Sequence, residues 1–130
     1  MDVLRSVVSV QGVEHKLQKP TIPLAIHATG SFPTILASFH RLTQGLKPVE
    51  PRADLGHAAN YLYMLNGEEA SPEIVQALNT YLVLLADHGM NASTFTARVI
   101  ASTDSDLASC LVGAIGALKG PAHGLSLIHI

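Results

Sequence analysis

Residues 71–89, Ser-Pro-Glu-Ile-Val-Gln-Ala-Leu-Asn-Thr-Tyr-Leu-Val-Leu-Leu-Ala-Asp-His-Gly, carry the signal that decides the fold. Ser71 puts a capping hydroxyl ahead of a helix, Pro72 stands where a missing N–H costs nothing, and Glu73 brings a carboxylate to the positive end of the helix dipole. Ile74, Val75, Leu78, Tyr81, Leu82 and Leu85 then recur at helical spacing as one wide apolar stripe. Gly89 supplies the left-handed residue that ends such a helix, so a helix is predicted from Ser71 to His88.

The same pattern extends to both sides. Downstream, Asn91 is a cap for a helix through Thr103 with Phe95, Val99 and Ser102 on one side, and Asp104 or Ser105 opens a third helix. Gly113, Gly116 and Gly120 in that third helix leave room for another helix backbone to approach closely. Upstream, Asp54 is the expected cap of a helix through Met64, and Lys47-Pro48-Val49-Glu50-Pro51-Arg52 is a proline-pinned connector. Ser31-Phe32-Pro33 reads as the start of an amphipathic helix bearing Ile35, Leu36, Phe39 and Leu42, which Gly45 terminates. Helical character is expected from Leu24, beyond Pro20 and Pro23. Asp2 to Val10 is a short helix with a strand as its rival, because Val3, Val7, Val8 and Val10 are β-branched. Without a repeat or a pair of alternating strands, the fold class is mainly α.

Composition narrows what such a fold can do. The 130 residues are 48% apolar and only 14% charged, more apolar surface than one small domain readily buries, so helices that pack on something outside the chain are expected. A net charge of -2 with scattered Lys and Arg argues against nucleic acid as a partner. The single cysteine, Cys110, excludes an internal disulfide, suits a reducing, cytoplasmic compartment, and reads as a small core residue. No cationic segment leads into a long apolar core at the N-terminus, so no signal peptide is expected. The most apolar run, Leu107 to Leu118, falls short of the ~20 residues a membrane-spanning helix requires.

Two histidines hold the chemistry. His88 stands at a helix C-terminus, where an imidazole can cap the last carbonyls or face a cleft; a cap is the simpler reading of that residue alone. His123 follows Gly120-Pro121-Ala122 and precedes Gly124, and the glycines permit close backbone approach to a ligand. His15, His27 and His40 share no face and read as surface or hydrogen-bonded residues. No His-Glu-x-x-His or paired cysteines support a metal site, Ser93 lacks the Gly-x-Ser-x-Gly elbow of a hydrolase, and the Gly113, Gly116, Gly120 spacing lies within a helix rather than in a phosphate loop.

Three blocks in order, Leu65-Asn66-Gly67-Glu68-Glu69, Ala86-Asp87-His88-Gly89-Met90-Asn91-Ala92-Ser93-Thr94-Phe95 continuing to Val99, and Gly113 through Lys119-Gly120-Pro121-Ala122-His123-Gly124, resemble the citrate synthase family, in particular its bacterial and archaeal members and the related 2-methylcitrate synthases. The resemblance implies a mostly helical, cytoplasmic homodimer with no membrane or nucleic-acid partner, in which a cleft closes over oxaloacetate and acetyl-CoA is condensed with it and hydrolysed. Acetyl-CoA is then a substrate, and no cofactor or metal is implied. By the same resemblance His88 binds oxaloacetate, His123 donates a hydrogen bond to the thioester carbonyl as the enol forms, and Ser93 orients that histidine. A neutral imidazole N–H aimed at a developing oxyanion fits the chemistry, since it stabilises charge that arises only in the transition state.

The departures define the remaining expectations. The family's catalytic aspartate, its third histidine and the arginines that clamp substrate carboxylates have no counterpart in the chain. Residues 1–124 are accordingly expected to be a partial large domain of the family, inactive alone because the base is missing. Leu125-Ser126-Leu127-Ile128-His129-Ile130 departs from the family's glycine-rich continuation and is expected to be a non-native tail, with no role for His129. The alternatives are part of a 2-methylcitrate synthase using propionyl-CoA, or a non-catalytic helical dimerisation module.

Overall fold

The computed structural model describes residues 1–14, 19–87 and 89–123. Its described residues form helices and turns, in the order α1 (Asp2–Glu14), α2 (Ile22–Thr43), α3 (His57–Asn66), α4 (Pro72–Leu85), α5 (Ala92–Ala101) and α6 (Leu107–Leu118). The mainly α expectation holds, and in the first segment the helix prevails over the strand. The chain divides into two compact units, one of residues 1–26 with 89–130 and one of residues 27–88.

In the first unit α6 is the central helix, with α5 and α1 packed against it. Leu4 and Val8 of α1 and Cys110 and Ile115 of α6 are its buried apolar residues. Gly113 sets the approach of α5: a Cβ there would lie 2.3 Å from Cδ1 of Ile100 and 3.4 Å from Cγ2 of Thr96. A side chain, not a backbone, fills the room that the glycine leaves. Gly116 is less crowded, with Arg5 Nη1 3.7 Å from where a Cβ would stand. The cap of α6 is Asp106, whose Oδ1 accepts from the Ser109 N–H at 2.8 Å. Asp104, expected as a possible cap, instead takes a left-handed φ of 63° and pairs with Lys19 at 2.9 Å. Ser105 is likewise not the cap: the next residue, Asp106, has the extended backbone and puts its carboxylate in reach of the third N–H.

In the second unit α3 packs against α4, and Ala37, Ala58 and Met64 are buried. Arg41 gathers this unit: its Nε donates to the Lys47 carbonyl at 2.7 Å and its Nη1 to the Leu65 carbonyl at 3.3 Å. Gly67 ends α3 with φ 86° and returns its N–H to the Tyr63 carbonyl at 2.8 Å. A Cβ on Gly67 would also press to 3.1 Å from the Arg41 guanidinium. The connector 47–52 is fixed by Asn60, which accepts from the Arg52 N–H at 3.0 Å and donates to the Arg52 carbonyl at 2.8 Å. The Arg52 side chain joins Asp54 and Glu69 and lies over the Tyr63 ring, 5.4 Å from its centroid. Asp54 is therefore an ion-pair partner, and α3 starts at Gly56 without a side-chain cap.

Two helix boundaries differ from expectation. Ser31 does not start a helix; its hydroxyl donates back to the His27 carbonyl at 2.9 Å, and α2 runs unbroken through Pro33 for 22 residues. Proline removes one donor and crowds one turn, and a helix of this length retains its hydrogen-bond ladder on both sides of the loss. With the two predicted pieces joined, α2 becomes the one helix among the described residues long and apolar enough to cross a membrane by length and composition. α4 ends at Leu85 with Ala86 as its C-cap, and Gly89, φ 84°, is left-handed as expected.

Candidate functional site

The site begins with the sequence Asn91-Ala92-Ser93-Thr94 at the start of α5. A helix leaves its first N–H groups without backbone partners, and here two side chains supply the acceptors. Asn91 Oδ1 accepts from the Thr94 N–H at 2.9 Å and from the Ser93 hydroxyl at 2.6 Å. The Ser93 N–H is met by His123: its Nε2 accepts at 3.1 Å from 30 residues away in the chain. The imidazole thus acts as a second cap on α5.

His123 arrives there through a short run of turns leaving α6. Gly120 donates to the Ala117 carbonyl at 3.1 Å and His123 donates to the Gly120 carbonyl at 2.9 Å. A Cβ at Gly120 would meet that Ala117 carbonyl oxygen at 3.2 Å, so the smallest residue allows the tightest exit from the helix. An imidazole nitrogen that accepts an N–H bond is unprotonated, and in the neutral ring the proton then sits on the other nitrogen. The geometry selects the Nδ1–H tautomer of His123 and leaves the ring half-buried.

Ser93 and His123, both singled out from sequence, are brought together, but through the serine backbone. The Ser93 hydroxyl is occupied by Asn91. His88 lies outside the described residues, as do residues 124–130. Asn91, read from sequence only as a cap, also holds the Ser93 hydroxyl; an Asn-x-Ser-Thr start already carried that possibility, since an Asx side chain reaches the two following polar residues. Cys110 is buried as expected, and burial, helped by the Asp106 charge, pushes its thiol pKa up, away from the thiolate that reactivity requires.

Fold and site together define an all-α assembly in which an imidazole of fixed tautomer is seated on the open end of a helix. A family model described as "Citrate synthase, C-terminal domain" matches residues 1–128. The chain is 50% identical over 129 residues to citrate synthase 2 of Bacillus subtilis, covering 95% of this chain and 35% of that protein. It is 42% identical over 127 residues to a 2-methylcitrate synthase of Mycobacterium tuberculosis, covering 95% of this chain and 32% of that one. Among solved structures, citrate synthase from Thermotoga maritima aligns with a TM-score of 0.78 at 44% identity over 96% of this chain and 32% of its own. The ternary complex of Thermoplasma acidophilum citrate synthase with carboxymethyl coenzyme A and oxaloacetate aligns with a TM-score of 0.85 at 29% identity over 93% and 33%. The chain belongs to the citrate synthase family. It spans about a third of the length of the relatives it matches.

Proposed function

We propose that this chain supplies one part of the active site of a citrate synthase, an acyltransferase that condenses acetyl-CoA with oxaloacetate and releases citrate and CoA. The observation that carries the reading is the Ser93 N–H bond to His123 Nε2. With Nε2 engaged, Nδ1–H is the ring donor, and it hydrogen-bonds the thioester carbonyl while negative charge builds on that oxygen. A donor fixed in advance by α5 needs no reorganisation as the charge develops. His88 contributes to the oxaloacetate pocket. The family's carboxylate base for the acetyl methyl proton has no counterpart in the chain, so the chain alone is not expected to catalyse the condensation.

Several features support this setting. Citrate synthases at 50% identity support the reading, with the 2-methylcitrate synthase at 42% a near relative. We read the complete enzyme as a homodimer: α4 has no buried residue, with Val83 66% and Leu84 70% exposed, and on α5 Phe95 is 59% exposed, apolar area for a partner chain or the rest of the protein to cover. α2 belongs to the helical domain of a cytoplasmic protein, its His27, His40 and Arg41 being poor occupants of a bilayer. The test is thiol release from acetyl-CoA and oxaloacetate. The 130-residue chain gives none, whereas residues 1–123 exchanged into the Bacillus subtilis relative restore turnover; a dead but folded, dimeric exchange protein would refute the assignment.

A further inference from the structure

Four residues before His123, Lys119 caps the C-terminus of α6 and takes no part in the chemistry above. Its Nζ donates to both carboxylate oxygens of Asp2, at 2.8 and 2.7 Å, 117 residues away in sequence. Asp2 stands in the first turn of α1, where a carboxylate is favoured by the helix dipole, as a cation is at the end of α6. Arg5 also holds Asp2. The buried contacts between α1 and α6 fix where the two helices lie, and the ion pair fixes the C-cap of α6 against the first turn of α1. From Lys119 onward the backbone has little slack, because Gly120 and His123 each bond back into the preceding turn.

We propose that Asp2 and Lys119 are positioning residues for His123: their pair holds the helix end from which the 120–123 turn sets the imidazole on the Ser93 N–H. The inference rests on His123 acting as an Nδ1–H donor. Anchored at Lys119, the turn delivers Nε2 to the start of α5; with the anchor cut, the turn and the ring sample other placements, and the Nε2–H tautomer gains population.

The experiment is ring-nitrogen NMR on the 130-residue chain, reading the tautomer ratio of His123, with helical content followed by circular dichroism. Wild-type chain shows Nδ1–H as the dominant tautomer. Lys119→Met and Asp2→Asn lower the Nδ1–H to Nε2–H ratio about two- to fivefold, the range expected of an exposed ion pair, and Lys119→Arg retains it. Asn is itself a good residue for a helix start, so Asp2→Asn decides the matter if Lys119→Met loses helicity. Wild-type ratios in both charge-removing variants, with helicity intact, overturn the positioning role and leave the reading of His123 standing. A wild-type chain that lacks the Nδ1–H tautomer overturns that reading and the inference together.

Discussion

Substituting Gly113 tests how closely α5 is held to α6, the packing on which the Ser93–His123 contact depends. A Cβ at this position falls 2.3 Å from Ile100 Cδ1, well inside the ~3.5–4.0 Å of favourable carbon contact. The atom met is the end of the Ile100 side chain, which can turn aside, so the cost falls toward the lower end of the ~1–3 kcal/mol of core overpacking. Against it stands the helix propensity gained on replacing glycine by alanine, about 1 kcal/mol. Gly113→Ala alone is therefore expected to destabilise the chain by about 0–1 kcal/mol. Ile100→Val removes the clashing methyl and by itself costs about 0.5–1.5 kcal/mol. In that background the remaining contacts are Thr96 Cγ2 at 3.4 Å and the Cγ carbon of residue 100 at 3.8 Å, both ordinary or nearly so, and the same glycine substitution becomes stabilising by up to about 1 kcal/mol. The sign of the Gly113 effect thus reverses between the two backgrounds. Urea unfolding of the four proteins, followed by far-UV circular dichroism at constant slope, measures it. Effects that add within about 0.5 kcal/mol would refute the packing argument.

Asn91→Ala removes the acceptor for both the Thr94 N–H and the Ser93 hydroxyl; a loss of about 1 kcal/mol in denaturant stability is expected. Ser93→Ala keeps the backbone donor, so ring-nitrogen NMR is expected to find His123 in its wild-type tautomer; a change would place the hold in the hydroxyl. Asp106 provides the pH dependence. Burial pushes its carboxyl up, but bonds from the Ser109 N–H and hydroxyl outweigh this and hold it below the usual range. Because the folded-state value is depressed, this stabilisation is complete above the unfolded value of about 3.9 and is lost as pH falls through the folded one. Asp106→Asn, which still caps, is expected to flatten that part of the acid-unfolding curve, and an unchanged curve would discount Asp106 as a contributor.

Local chemistry was legible wherever one residue decided the outcome. Asn91 caps α5 as its side-chain type predicts, and Gly89 is left-handed as its place after an apolar stripe predicts, whereas Ser71 stands at the N-cap position of α4 but its hydroxyl makes no cap bond. Where neighbouring residues offer the same chemistry, sequence alone does not choose: Asp104 or Ser105 is the expected cap, Asp106 is the actual one, and backbone φ separates the two aspartates, 63° at Asp104 against -75° at Asp106. Pro33 misled because a local rule weighs one lost hydrogen bond without the helix around it. Asp54 misled because its carboxylate had a stronger claim in Arg52, which pulls the Asp54 pKa down. The pairs that span the chain left no local trace. Ser93 with His123 became a pair only through family resemblance, and Asp2 with Lys119 emerged only from the packing of α1 on α6.

If His123 stabilises the thioester oxyanion, kcat of the exchange protein carrying residues 1–123 depends on it. His123→Gln is expected to lower kcat with acetyl-CoA and oxaloacetate about 10²–10³-fold, the usual loss on removing one oxyanion donor, with the KM for acetyl-CoA changing far less. A His123→Gln enzyme that keeps the parent kcat would contradict the account.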